Sequence, residues 1–378
     1  MMGLMRRMSQ RAFDARARSI IALAAALLSV LVGPHQALAG TIRDDRNPQL
    51  YLNLGDDPRY ASVGKFDLTK WEPGFSASGT VVGSDWVLTA AHVMDGATSG
   101  QFTVGGQTYN VSKWVTHPKW DGELRRGYDL ALVKLDRDVA GVAPASLYTG
   151  RKEFGALATF VGFGRTGTGL TGDTTFDALK RAGQNTIDGS IGNETWPAAA
   201  TFKTKLPKSA RTFLVDFDNP DSLNHPQDNV VGSAAPLDLE YLISLGDSGG
   251  GAFVNFGHGP LLAGVNSFAE VPDGLDNSDY GDVTGHVRVS QFAKWIRQTL
   301  RREEKAEAQA IKRELRLTAG NGRILSPDSA AAPAAVVPEP AALTFALTAV
   351  ALTLRRPRRR RVANAGIQDF LVSPPAAV

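Results

Sequence analysis

The sequence predicts a mostly β protein built in two halves. Three observations point there. Short runs rich in Val, Thr, Phe and Trp recur between Gly, Asp and Pro from Tyr51 to about Lys134, and a second series runs from Leu157 to Val287. No helix-period segment of any length interrupts either series. In order, the first half offers Gly79–Val82, Trp86–Thr89, Phe102–Val104 and Ala131–Val133, and the second offers Leu157–Gly164, Phe213–Val215 and Leu261–Val265. Helical character begins only at Ser290, where Phe292, Trp295, Ile296 and Leu300 recur at helical spacing to form an apolar stripe. The Ala-rich, mixed-charge stretch Arg301–Leu315 extends that helix into solvent.

The 378 residues carry 41 Lys+Arg against 38 Asp+Glu, a net +3, with a pI near 9.0. A basic balance raises nucleic acid or an anionic membrane as partners, but here the excess lies at the ends. Residues 1–39 hold five arginines against Asp14, and residues 338–378 hold six against Glu339 and Asp369, which leaves residues 40–337 at −5. No nucleic-acid partner is expected. The body is long and apolar enough to bury a core as one globular unit or two small ones.

Arg6 to Arg18, the apolar run Ser19–Val32 and the small-x-small site Ala37-Leu38-Ala39 make a secretory signal peptide over residues 1–39. Its apolar run is too short to span a bilayer. Signal peptidase is the expected partner, cutting after Ala39. The chain has no cysteine, so an exported fold must stand on core burial without disulfides. At the other end, residues 318–337 read as a linker leading to Val337-Pro338-Glu339-Pro340, the apolar segment 341–354 and the arginines from Arg355 to Arg361. Such a segment dips into a membrane while its arginines stay on the cytoplasmic side. Residues 338–361 resemble the PEP-CTERM sorting signal of Gram-negative bacteria. That resemblance implies transient membrane association and trimming by an exosortase. The tail 362–378 departs from the pattern, whose members end at or just after the arginines.

Three short blocks carry chemistry. His92 ends the run Trp86-Val87-Leu88-Thr89-Ala90-Ala91-His92, Asp129 opens Asp129-Leu130-Ala131-Leu132, and Ser248 sits in Gly246-Asp247-Ser248-Gly249-Gly250. A serine hydroxyl is a poor nucleophile until a base takes its proton, and that base needs a third group to fix its tautomer. A glycine-rich turn around the serine can also aim the Gly246 and Ser248 amides at one oxyanion. Alone, each block has a structural alternative: a strand-end histidine, a turn-forming aspartate, a glycine loop.

Together and in this order, the blocks resemble the signature stretches of the chymotrypsin/trypsin family of serine endopeptidases. Ser78–Val82, Val161–Gly164, Gly264–Phe268 and the helix near Trp295 extend the resemblance over about Ser62 to Leu300. It implies two packed six-stranded antiparallel β-barrels with a C-terminal helix. These would occupy residues 62–317, with the first barrel at about 62–150 and the second at about 151–317, behind an N-terminal segment 40–61. It also implies His92 as general base and acid, Asp129 as its orienting group, Ser248 as nucleophile, and the amides of Gly246 and Ser248 as oxyanion donors. The substrate is a protein or peptide, and neither cofactor nor metal is needed. The rivals are a non-catalytic surface or matrix-binding protein on the same fold, and an esterase using the same residues.

The sequence departs from the family in two places. No Ile-Val-Gly-Gly occurs to supply a new amino terminus for Asp247, which leaves open what holds that carboxylate and whether 40–62 is a pro-segment. Leu242 stands six residues before the nucleophile, where trypsin-type members place an acid. With Ser267, Phe268, Ala269 and Thr284 as the other substrate-binding positions, it predicts an apolar or small P1 residue, and Glu240 keeps a basic preference as the minority alternative. The stretch Asp216–Asp221 is rich in oxygen ligands, but it lacks the glycine and terminal glutamate of an EF-hand loop and reads as a solvated turn.

Overall fold

The computed structural model describes residues 40–70, 73–190, 206–232 and 235–321. The signal peptide, the sorting signal with its apolar segment 341–354, the tail and nearly all of the linker lie outside the described residues. The chain divides into two compact units after Lys312, and every strand belongs to the first.

The chain enters as strand β1 (Gly40–Ile42) and helix α1 (Pro48–Gly55), which is capped by the Asn47 side chain on the Gln49 amide and has proline at its first position. Next come β2 (Val63–Thr69), β3 (Pro73–Val81), β4 (Trp86–Thr89), the single turn α2 (Ala91–Met94), β5 (Ser99–Val104), β6 (Gln107–Thr116) and β7 (Ala131–Leu135). The six strands β2 to β7 form a closed barrel in the order β2-β3-β4-β7-β6-β5. Alternation sets the register. Phe66 and Phe102 lie directly opposite one another with ring centroids 4.6 Å apart, and Leu88 faces Leu132. These residues are buried with Val87, Val133 and Tyr109 in one apolar core.

Strands β8 (Leu157–Gly162), β9 (Thr166–Thr168), β10 (Gly172–Thr175), β11 (Arg181–Thr186), β12 (Thr212–Asp216), β13 (Tyr241–Leu242), β14 (Gly251–Asn255), β15 (Pro260–Glu270) and β16 (Val283–Arg288) make the second half. Six of them form an antiparallel sheet in the order β11-β8-β14-β15-β16-β12. The mostly β class and the six-stranded sheet in each half are as the resemblance implies. The second sheet, however, does not close as a barrel: β11 and β12 meet only near the Gly189–Leu214 bridge. A separate four-stranded sheet runs in the order β10-β9-β1-β13.

Residues 40–61 are therefore part of the fold. β1 runs parallel to β9 and antiparallel to β13, all three of its residues are buried, and Tyr51 of α1 sits in the second core. Nothing in the sequence pattern marks a strand of three residues there. The C-terminal helix α3 (Val289–Asn321) starts as expected. Phe292 and Ile296 join the first core, with Trp295 and Leu300 packed against it. Residues 301–317 are exposed except for Glu303, which pairs with Lys113 at 2.7 Å. Among the described residues no helix is long and apolar enough to cross a membrane.

Candidate active site

β4 ends at Thr89, and the turn α2 after it carries His92. Asp129 lies just ahead of β7, the strand paired with β4, so the barrel register brings the two residues together. The Asp129 carboxylate accepts from the His92 backbone N–H through Oδ1 at 2.8 Å and meets the ring Nδ1 through Oδ2 at 2.8 Å. A carboxylate can only accept, so the ring proton belongs on Nδ1 and the lone pair on Nε2. Asp129 is wholly buried, and Ser267 from β15 donates a hydroxyl to the same Oδ2 at 2.6 Å. The sequence places Ser267 only on the substrate wall, and its contact with Asp129 emerges from the packing of the two halves.

Ser248 follows a sharp turn. Gly246 adopts φ +100°, in the region that favours glycine, and faces the Gly164 backbone, where an added Cβ would lie 3.0 Å from Cα. Among the described residues, neither the Gly246 nor the Ser248 N–H donates a hydrogen bond, so both amides remain available to a ligand. Ser78 of β3 fastens this turn to the first barrel. Its N–H donates to the Ser248 carbonyl at 2.9 Å, its hydroxyl donates to the Gly246 carbonyl at 3.0 Å, and the same hydroxyl accepts from the Phe163 N–H at 2.9 Å. In the sequence Ser78 reads only as one residue of a strand. Its small polar side chain amid β-formers is the one available signal.

Asp247 is held without a free amino terminus. Oδ1 accepts from the Gly164 N–H at 2.8 Å, and Oδ2 accepts from the Ser244 N–H at 3.0 Å and the Tyr241 hydroxyl at 3.1 Å. Burial pushes Asp247 up to about 6, against the pull of those three donors and of Arg181. Gly40 packs on the Tyr241 ring so closely that a Cβ there would fall 2.0 Å from a ring carbon. The entering strand thus backs the tyrosine that holds the residue beside Ser248.

His92, Ser248, Ser267, Phe268 and Ala269 line one cleft of about 280 Å³, together with Ile243, Ser244 and Leu245. Arg165, Asp173, Asp276 and Ser278 line the same cleft. Two positions expected on its wall are elsewhere. Leu242 is fully buried, paired with Thr41 of β1, and belongs to the second core; the wall is made by the next three residues. Thr284 is also fully buried, its hydroxyl 3.1 Å from the His286 Nε2. Glu240 lies outside the cleft lining and accepts from the Asp218 N–H at 3.0 Å. The acids that do reach the cleft are Asp276 and Asp173, and Asp173 sits 3.8 Å from Arg165. His286 is a core residue, stacked on Phe213 and pushed down to about 3 by burial.

Asp216 is not in a solvated turn. It is buried at the end of β12 and accepts from the Val230 and Val231 amides at 2.7 and 2.6 Å. The sequence predicts no metal, and the oxygens that come together in the structure are those of Asp273, Asp279 and Asp282.

Residues 59–200 match the family model described as Trypsin, a stretch that includes His92 and Asp129 and ends before Ser248. Chymotrypsin-like elastase family member 1 of Canis lupus familiaris is 32% identical over 92 residues, 21% of this chain and 33% of its own length. The protein of the same name from Macaca fascicularis is 31% identical over 109 residues, 25% of this chain and 41% of its own length. The matches thus span about a third and about two fifths of those relatives. Among solved structures, HL collagenase aligns at 20% identity and a TM-score of 0.46, covering 70% of this chain and 98% of its own. Neuropsin, a serine protease expressed in the limbic system of mouse brain, aligns at 18% identity and a TM-score of 0.44, covering 65% and 97%. Over residues 59–200 the chain is similar to trypsin-like serine proteases.

Proposed function

We propose that the protein is an exported serine endopeptidase that cleaves peptide bonds through an acyl-enzyme. The observation that carries this reading is a single cleft holding Ser248 and His92, with the histidine fixed at both its backbone and its ring by the buried Asp129. In the proposed reaction the Ser248 hydroxyl attacks the scissile carbonyl while His92 Nε2 takes its proton. Asp129 holds the ring and favours the imidazolium that forms, while the Ser267 hydroxyl fixes the Asp129 carboxylate in place. The unpartnered amides of Gly246 and Ser248 receive the oxyanion, a contact of the kind worth about 3–4 kcal/mol per donor in the transition state. Collapse returns the proton to the leaving amine, and water repeats the sequence to release the acid.

The route out of the cell follows from the ends: residues 1–39 direct export, and residues 338–361 hold the protein at the envelope until processing. Signal removal after Ala39 would leave Gly40 at the head of a buried strand. Ile243, Phe268 and Ala269 favour an apolar or small P1 side chain, with the charge of Asp173 offset by Arg165.

Peptides varied at P1, assayed beside Ser248→Ala, test this. Hydrolysis is expected to peak at apolar or small P1 residues and to vanish in the variant. A peak at Arg or Lys overturns the pocket assignment, and unchanged hydrolysis by Ser248→Ala overturns the nucleophile. Turnover of esters with none of peptides overturns the endopeptidase reading in favour of an esterase.

A further inference from the structure

The loop between β15 and β16, residues 271–282, presents an unusual electrostatic arrangement. Carboxylate oxygens of Asp273, Asp279 and Asp282 all lie within 4.8 Å of one another. Asp273 is exposed, Asp279 half-buried and Asp282 buried, so the group leads from solvent inward. Acidic clusters are common on surfaces, but Asp282 separates this one from the ordinary kind. It is 1% exposed, and neither of its carboxylate oxygens has a hydrogen-bond partner. The backbone amides of Ser278 and Asp279 face it without closing a hydrogen bond. A buried carboxylate with no well-formed hydrogen bond and two acidic neighbours is costly, and such groups are normally paired or bound to a metal. Among the described residues no Lys or Arg makes an ion pair with any of the three.

We infer that Asp273, Asp279 and Asp282 form a calcium site that fixes one wall of the substrate cleft. The donors are all carboxylate oxygens, with no His or Cys in the group, which selects a hard cation. Calcium accepts several carboxylate ligands in a flexible geometry, whereas magnesium usually keeps several waters and takes only one or two carboxylates, so a three-carboxylate group favours calcium.

The loop is well placed to pass this binding on. Asp276 and Ser278 line the cleft, and Ser278 holds a left-handed φ of 56°. Asn277 accepts from the Asp173 N–H at 2.6 Å, and Asn277 Nδ2 donates to Asp279 at 2.9 Å. Tyr280 donates its hydroxyl to Asp44 at 2.7 Å. An ion on the three aspartates would therefore brace the wall formed by Asp173, Asp276 and Ser278 without touching the reacting atoms.

Thermal unfolding of the purified protein near pH 8, in chelator, in about 10 mM calcium and in about 10 mM magnesium, tests the site. Calcium is expected to raise the midpoint by roughly 3–8 °C, and magnesium by less. The rise should disappear in Asp273→Asn and in Asp282→Asn. In chelator Asp282→Asn should melt at or above the unsubstituted protein, because it relieves the crowding of three acidic groups around a buried side chain. Should Asp282→Asn fail to fold, the exposed Asp273→Asn carries the test alone. Asp218→Asn, in the separate buried carboxylate group, should keep the full calcium response. With peptide substrate, calcium should lower KM severalfold and leave kcat within about twofold. Absence of any calcium-dependent shift, a shift unchanged in Asp273→Asn, or a response lost only in Asp218→Asn overturns the assignment.

Discussion

The two halves of the molecule handle polarity in opposite ways. The first is a closed barrel whose buried polar residues are mostly serines and threonines, with Asp129 as its one wholly buried acid among the described residues. The second is an open sheet with a small accessory sheet, and it buries Asp188, Asp216, Asp218, Glu240, Asp247 and Asp282. Asp188, Asp218 and Glu240 are pushed up to about 7, 9 and 8, chiefly by burial. The contrast separates two tasks. The closed barrel carries the His92–Asp129 pair, while the serine turn sits in a half that buries many carboxylates and is backed by the entering strand.

On this account the largest effect comes from the residues where the halves meet. Ser248→Ala or His92→Ala should lower kcat roughly 10⁶-fold, and Asp129→Asn roughly 10⁴-fold by losing the tautomer that frees Nε2. Steady-state kinetics check this, with circular dichroism to show intact folding.

The next effect probes the first barrel alone. Phe66→Ala removes one ring of the Phe66–Phe102 pair from a fully buried site and should cost about 3–5 kcal/mol in denaturant unfolding. A loss below about 1 kcal/mol would mean the barrel is less tightly packed than its closure implies.

Tyr241→Phe probes the second half. It deletes the hydroxyl on Asp247 while keeping the ring that Gly40 packs against. One hydrogen bond to a carboxylate is worth about 1.5–3 kcal/mol, so kcat/KM should fall on the order of 10- to 100-fold, with the fold retained. Unchanged kinetics would show that the Gly164 and Ser244 amides hold Asp247 unaided.

The pH dependence of stability distinguishes the halves next. Asp188, Asp218, Glu240 and Asp282 keep protons in the folded state that the unfolded chain has lost by about pH 6.5. Folded protein therefore binds more protons, and stability should fall as pH rises from about 6.5 to 8. Asp218→Asn should flatten that slope in urea titrations, and a slope of the opposite sign would remove the buried-acid account. The smallest effect belongs to the helix. Glu303→Ala breaks its pair with the half-exposed Lys113 and should change stability by less than about 1 kcal/mol.

Much of the candidate site was legible in the sequence because its residues sit in contiguous blocks. Thr89-Ala90-Ala91-His92, Asp129-Leu130-Ala131-Leu132 and Gly246-Asp247-Ser248-Gly249-Gly250 each encode local geometry, a strand end or a forced turn. The helix was legible for the same reason, since its stripe repeats within one segment. The rest depended on register between distant segments. Leu242 is expected on the cleft wall and faces the core instead, because β13 pairs with β1, a three-residue strand that no periodicity reveals. Ser78 and Ser267 bridge the halves through contacts 168 and 138 residues apart in sequence. The buried carboxylates were hidden by composition: an aspartate in Asp216-Phe217-Asp218 or in Asp279-Tyr280-Gly281-Asp282 reads as a turn former until the neighbouring strands enclose it.

The central claim is that Ser248 is a nucleophile activated by a histidine held in place by Asp129. A fluorophosphonate reacts far faster with such a serine than with an ordinary hydroxyl, so labelling of the purified protein followed by mass-spectrometric mapping tests it directly. The expected result is a single phosphonylated residue at Ser248, absent in Ser248→Ala and strongly slowed in His92→Ala. Equal labelling of the parent protein and Ser248→Ala, or no labelling of a folded parent protein, would contradict it.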